Sequence, residues 1–207
     1  ADLHGRLTDC SAAGFSQAMH VSVHSLIRMA HLAEPLMKGG GSLISKERYK
    51  DAFIHVEFRI PDMPEASGQH KGNSGVFLQG LYEIQVLDSY GFEIPGKGDC
   101  GAFYDMHAPL VNACKPPEEW QSYDIVFRAP RFDENNAVCE SARATVFHND
   151  RLIHNNVVLP TATGGSKGKD IIAEGGLMLQ DHGDLVSYRN IWLQHLPLKG
   201  SDEYEPQ

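Results

Sequence analysis

Asn73–Tyr90 reads NSGVFLQGLYEIQVLDSY, and its alternation decides the fold. Ser74 to Gln79 alternates small or polar with apolar side chains, and Tyr82 to Asp88 does so strictly. Successive strand side chains point to opposite faces, so Tyr82, Ile84 and Val86 share one face, while Glu83, Gln85 and Leu87 share the other. Gly80-Leu81 between the runs is short enough for a tight reversal, with glycine free to take a positive φ. Glu83 and Gln85 therefore stand about 7 Å apart on one face of a sheet. Two readings of that face stay open. It is a solvated sheet surface, or it is the polar floor of a groove with Glu83 as an acid/base or ligand group.

The rest of the chain fits around this hairpin. Ala52 to Ile60 (AFIHVEFRI) alternates cleanly, with Ile54, Val56, Phe58 and Ile60 on the core side. Its other face sets Glu57 and Arg59 two residues apart, either as an exposed ion pair or as an Arg that holds ligand oxygens with Glu57 orienting it. Ser42 to Ser45 reads as a short strand, Lys46 to Asp51 as a connection and Asp62 to Gly72 as a polar loop of the kind that rims sites. Asp99 to Asp105 (DCGAFYD) reads as a short strand with Tyr104 near its end, and Arg131 to Glu140 as a polar excursion. Trp120 to Arg128 alternates again, and Trp120 is either core or a platform for stacking a sugar. Ala142 to His148 and Arg151 to Val158 form a hairpin about Asn149-Asp150. Thr161 to Lys169, with three glycines and two lysines, reads as a mobile loop and lacks the GxxxxGK phosphate-loop pattern. Leu177 to Gln180 leads into Asp181-His182-Gly183, which is a turn or a site, and Leu185 to Leu193 is the last strand. Some ten short strands separated by Gly, Pro and Asn argue for an all-β sandwich.

The totals bound the function. At 207 residues, roughly 70% of the unfolded surface is buried on folding, so a core of this size needs no staples. Net charge is -9, with 27 acidic against 18 basic residues and no basic stripe, which argues against nucleic acid as a partner. No apolar run approaches the length of a transmembrane helix. No signal peptide is visible, and the chain begins at Ala1. Of the four cysteines none forms a CxxC pair. Cys100 and Cys114 bracket a short loop and are either a disulfide or two buried thiols; closing a loop of that size is worth about 3 kcal/mol. Residues 1–40 read as an N-terminal segment, 41–198 as the sandwich and 199–207 as a polar tail. Within the first, Met19, Val23, Ile27, Ala30 and Ala33 recur at helical spacing, and His20 and His24 share a face without the Glu of a metalloprotease motif.

From Gly41 to Leu196 the chain resembles the 3-keto-disaccharide hydrolase domain. The resemblance rests on GGSLISKERYKD, HVEFRIP, GNSGVFLQGLYEIQVLDSYG, DCGAFYDMHAPLVNACKPPEEWQSYDIVFRAPRF, ARATVFHND and LQDHGDLVSYRNIWL, in that order. It implies a concanavalin-like jelly-roll sandwich, related in shape to laminarinase-type glycosidases, acting on a sugar oxidised to a ketone at C3. Residues 1 to 38 depart from the family's opening strand pair, showing no Trp and no clear strands.

A glycosidic bond ordinarily breaks between two flanking carboxyl groups. The comparable strand here offers Glu83, but Gln85 carries no proton and Asp88 falls on the opposite face. A ketone at C3 allows another route, in which a base removes the acidified C2 hydrogen, the C1 substituent leaves and water adds back. His182 is the expected base, with Glu83 as the alternative. Arg59, Arg189 or a divalent cation (Mn, Ca or Zn) is expected to hold the developing enolate, with Glu83, Asp181 and His182 as candidate ligands. Glu57, Asn73, Gln85, Tyr104, Asp181 and Asn190 complete the candidate substrate contacts. An oxidised sugar or glycoside is the expected partner, and a periplasmic or secreted location the expected compartment. A glycan-binding sandwich without catalysis, and direct two-carboxylate hydrolysis, are the competing readings.

Overall fold

The computed structural model describes residues 41–196, and the helical spacing of 15–38, the His20/His24 pair and the 199–207 tail lie outside the described residues. Eleven strands follow one another: β1 (Leu43–Tyr49), β2 (Ala52–Arg59), β3 (Ser74–Leu78), β4 (Tyr82–Val86), β5 (Trp120–Arg128), β6 (Arg131–Phe132), β7 (Val138–Glu140), β8 (Ala142–His148), β9 (Arg151–Leu159), β10 (Gly175–Leu179) and β11 (Ser187–His195). They form a four-stranded sheet in the order β1-β10-β3-β4, a five-stranded sheet in the order β11-β2-β5-β8-β9, and a small β6-β7 hairpin. Every strand pairing is antiparallel. This is the all-β sandwich expected from the alternation. Among the described residues no helix is long and apolar enough to cross a membrane.

The core lies between the sheets because each contributes the apolar half of its alternation. Ile54, Val56 and Phe58 of β2 and Tyr123, Ile125 and Phe127 of β5 face Val76, Leu78, Tyr82, Ile84 and Val86 of β3 and β4. Tyr82 meets Phe127 across the sandwich at 5.9 Å between ring centroids. Two histidines are sealed within this architecture. His148, from β8, packs on Phe58 and Tyr123 and has Gln121 as its polar partner at 3.0 Å. His154, from β9, bonds the Gly101 carbonyl at 2.7 Å beside Phe103.

Four local expectations shift. Lys46 to Asp51 is no connection but largely strand, since β1 runs on to Tyr49 and pairs with β10 across a register break. Asp99 to Asp105 is a series of turns, with Phe103 alone bridging to Ile84; its glycine at 101 takes φ +86, which a continuous strand does not accommodate. The 131–140 excursion carries the β6-β7 hairpin. The reversal between β3 and β4 falls one residue early: Gln79 (φ 54) and Gly80 (φ 70) take the left-handed conformations. A glutamine tolerates this because Tyr49 binds it, its hydroxyl accepting from the Gln79 N–H and its carbonyl from Nε2. The β8-β9 turn forms as expected, with Asn149 and Asp150 at φ 50 and 63.

Candidate active site

The second face of the β3-β4 hairpin is neither solvated nor core. All five residues of β4 are buried, Glu83 at 4% exposure and Gln85 at 1%. They floor a pocket of about 210 Å³ lined by Gln69, Asn73, Glu83, Gln85, Tyr104, Gly165, Gln180 and His182. The outer face of one sheet is thus roofed by loops, which resolves the two readings of that face in favour of a groove floor.

Each lining group is held by its own segment. Gln85 is flanked by Gln69 at 2.9 Å. Turning its amide nitrogen toward Glu83 lets it donate to Glu83 Oε1 (3.0 Å) and to the Ser74 carbonyl (3.1 Å). Asn73 donates from Nδ2 to the Gln69 carbonyl at 2.7 Å. Tyr104 donates its backbone N–H to the Glu83 carbonyl at 3.2 Å, which fixes the 99–105 turns against β4. Gln180 follows β10; its N–H donates to the Gly75 carbonyl (2.9 Å) and its carbonyl accepts from Ser74 Oγ (2.6 Å). Its side-chain Oε1 is buried without a protein partner. On a pocket wall such an acceptor is open to a water or to a ligand hydroxyl. His182 stands exposed at the pocket's edge.

Two glycines make room for the Glu83 carboxyl. A Cβ on Gly75, across the β3-β4 ladder, would fall 2.5 Å from Glu83 Oε1, and one on Gly165 3.4 Å from Glu83 Oε2. Gly165 belongs to the stretch read as a mobile loop, but this loop is tied down. Thr163 donates from its N–H (2.9 Å) and hydroxyl (3.0 Å) to the Leu81 carbonyl and accepts from the Glu83 N–H (3.0 Å), and the Lys167 N–H reaches the Gly80 carbonyl (3.1 Å). Burial under this cover, reinforced by the Asp105 charge, pushes the Glu83 carboxyl up from 4.5 to about 7.

The structure brings together Glu83, His182, Gln85, Asn73 and Tyr104 and leaves the other candidates outside. Glu57, Arg59, Arg189 and Asn190 lie on the outward face of the β2-β11 pair, in the sheet opposite the one that carries the pocket. There Arg189 Nε donates to Glu57 at 2.5 Å, Asn190 Nδ2 to Glu57 at 2.7 Å, and His55 Nδ1 meets Asp124 at 2.7 Å. Asn190 supplies its bond from a bulge at φ 44. Trp120 is neither core nor sugar platform, because Arg189 stacks on its ring at 3.9 Å from the centroid. These four residues therefore lie away from the pocket: Glu57 is met by Arg189 and Asn190, and Arg59 pairs with Glu118 at 3.6 Å. Asp181 also stays out of the lining. Its carboxylate accepts from the N–H groups of Gly41 (2.5 Å) and Gly183 (3.0 Å), bonds that hold it well below the usual carboxylate range. Asp88, the second carboxylate a direct hydrolysis would want, is paired with Lys71 at 2.8 Å.

The metal candidates fit poorly. With Asp181 spent on backbone, Glu83 and His182 are the remaining acidic or imidazole ligands, and among the described residues no three such groups converge. Cys100 and Cys114 are free thiols rather than a disulfide. Cys100 shares a contact with the Tyr123 hydroxyl at 3.3 Å and burial pushes it up, while its bond to Cys114 lowers the latter.

Comparison with known proteins bears on the family and the fold. The model of the 3-keto-alpha-glucoside-1,2-lyase-like domain matches residues 13–194. The chain belongs to this family. A solved structure from Parabacteroides distasonis, of a "putative glycosyl hydrolase", is 35% identical with a TM-score of 0.68, covering 75% of this chain and 68% of its own. A second from the same organism, also of a "putative glycosyl hydrolase", at 16% identity and TM-score 0.51 over 75% and 74% of the two chains, shows the shared fold alone. The family and the fold are therefore those of carbohydrate-active, glycosidase-like proteins. Short stretches also match enoyl-(acyl-carrier-protein) reductase (NADH) FabI, from Rickettsia bellii (40% identity over 66 residues, 32% of this chain) and from a Synechocystis species (51% over 43 residues, 21% of this chain). The chain spans a quarter or less of those reductases' length, 25% and 17%, so their activity is not carried over.

Gln69, Gln180 and Gly165 were not among the sequence candidates. Gln69 sits in the polar 62–72 loop marked as a rim, and Gln180 continues the strand alternation past Leu179, so both carried a faint signal. Gly165 carried none beyond the loop's glycine content.

Proposed function

We propose that the protein cleaves the glycosidic C–O bond of 3-keto-glycosides by elimination and hydration. The observation that supports this most is the meeting of His182 and a carboxyl of near-neutral pKa, Glu83, in one small pocket otherwise lined by four amides, a phenol and a glycine. His182 takes the C2 proton, and the electron pair of that bond moves onto the C3 oxygen as an enolate. The enolate collapses with formation of a C1–C2 double bond as the C1–O bond breaks. Glu83, half protonated at neutral pH, delivers its proton to the departing oxygen. Addition of water at C1 and return of a proton to C2 complete a net hydrolysis. The enolate oxygen is met by the amides of Gln69 and Asn73 and the Tyr104 hydroxyl, with Gln85 spent on Glu83 and Ser74; the arginines expected in this role face the other side. No step is routed through a metal, because the donor set does not converge.

The test is turnover of a 3-keto-glucoside against its unoxidised parent. The mechanism expects cleavage of the ketone alone, since only the ketone acidifies C2. Equal cleavage of both would favour direct hydrolysis, and binding without turnover a glycan-binding module.

The lining also sets a substrate class. Four amides, a phenol and an imidazole offer donors and acceptors in mixed order, as sugar hydroxyls do, and no Lys or Arg is among the described lining residues. A uronate or a phosphorylated sugar would bury its charge beside Glu83 unpaired. We expect 3-keto sugars bearing either group to lose about 10²-fold or more in kcat/KM relative to the neutral sugar, at about 1.4 kcal/mol per tenfold. Comparable kcat/KM for neutral and anionic substrates would contradict this reading.

A further inference from the structure

We propose that Gly165 is a positioning residue, whose missing side chain lets the Thr161–Lys169 loop lie directly on the Glu83 carboxyl and keep water from it. This deepens the reading of Glu83 as the pocket's acid, but the geometry stands without any substrate. An added Cβ at Gly165 would come within 3.0 Å of Phe77 Cζ, 3.0 Å of Gln180 Nε2 and 3.4 Å of Glu83 Oε2. Phe77 is a fully buried strand residue paired opposite Glu83, and Gln180 is bonded through its backbone to both Ser74 and Gly75. Gln180 Nε2 ends a flexible side chain that can turn aside, but the buried Phe77 ring is not free to retreat, so a methyl group at Gly165 lifts the loop instead. Gly165 has no left-handed backbone angle that would itself demand glycine. Its requirement is the close approach of the loop to the sheet.

Gly168, three residues on, is the internal comparison: a Cβ there meets nothing within 4 Å. Thr163 supplies a second handle, because its hydroxyl bridges the Leu81 carbonyl and the Glu83 N–H. The ionisable groups around the carboxyl are Asp105 and Tyr104 from the 99–105 turns, His182 after β10, Tyr188 of β11 and Lys169, whose ammonium bonds the Thr163 carbonyl at 3.5 Å. None of these is altered by the glycine substitutions.

The experiment is a carbon-13 titration of the Glu83 carboxyl in the free protein, for wild type, Gly165→Ala, Gly168→Ala and Thr163→Val. Admitting water moves the carboxyl toward its ordinary value, so Gly165→Ala should titrate lower than wild type by about half a unit or more. Gly168→Ala should titrate as wild type and melt no lower, because alanine reduces unfolded-chain freedom where nothing is crowded; Gly165→Ala should melt lower, because the lifted loop loses contacts with the sheet. Thr163→Val, which releases the loop without crowding it, should also titrate lower, so the inference does not depend on one variant folding. An unchanged midpoint in Gly165→Ala or in Thr163→Val, or an equal shift in Gly168→Ala, overturns it. Because the titration uses no glycoside, it succeeds or fails independently of whether 3-keto-glycosides are the substrate.

Discussion

Glu83→Gln is expected to lower kcat on a 3-keto-glucoside by about 10²- to 10⁴-fold, the range for a lost proton-transfer group. It should leave KM within a few-fold, because the amide keeps the shape of the pocket wall. The pH profile makes the assignment specific. With burial and Asp105 holding the carboxyl up at about 7, the protonated fraction falls as pH rises through neutrality, and an acid role gives a falling alkaline limb there. In Glu83→Gln that limb disappears. His182→Ala should cost a similar factor, and the double variant little more, since the two groups serve one proton cycle. A Glu83→Gln enzyme retaining more than half of wild-type kcat would end this account.

The same substitution should stabilise the fold. A carboxyl whose folded pKa is raised keeps its proton where the unfolded chain has lost it, so its cost is absent below 4.5 and grows as pH rises toward 7. At pH 7 the difference amounts to about 3 kcal/mol, which the neutral amide does not incur. Greater stability with lost activity is the behaviour of a site strained for function rather than for packing.

Acid should weaken the fold through two buried histidines outside the pocket lining. Burial, with some contribution from Lys115, pushes His148 down from 6.5 to about 3, and burial likewise pushes His154 to about 4 despite the Gly101 carbonyl bond, with His107 adding to the shift. Both stay neutral in the folded protein while the unfolded chain takes up protons below 6.5. Their stabilisation is therefore complete above 6.5 and is lost as pH falls toward the folded values. Between pH 7 and 5 each group costs about 2 kcal/mol, together about 4 kcal/mol. Glu83 works the other way over the same interval and returns about 2 kcal/mol, so wild type should lose about 2 kcal/mol net. Denaturant titrations at pH 7 and 5, in wild type and in Glu83→Gln, separate the terms: the variant should show the steeper loss. Equal losses in the two proteins would mean that Glu83 is not held neutral, and no loss in the variant that the histidines are not sealed from solvent.

How much of this was legible depends on the range of the interaction. The faces of β2 and β4 were legible because a strand's two sides follow from a period of two within a few residues. The Asn149-Asp150 turn was legible for the same reason, its backbone demand being local. The sites of error were those where a distant segment decides. Lys46 to Tyr49 extends as strand because β10 is there to pair with it, and Gln79 takes a left-handed turn because Tyr49 holds it. The Glu57-Arg189 pairing is easily imagined as a ligand clamp, yet it lies on the sheet opposite the pocket.

Alone, the sequence determined an antiparallel sandwich, its core faces, its family and the hairpin that carries Glu83. Tertiary structure decided that a loop some eighty residues later in the chain buries that carboxyl, that His182 shares its pocket, and that Arg59 and Arg189 do not. The physical reason is that alternation specifies which side chains share a face, while the desolvation that gives one of those faces its chemistry comes from whatever packs on it.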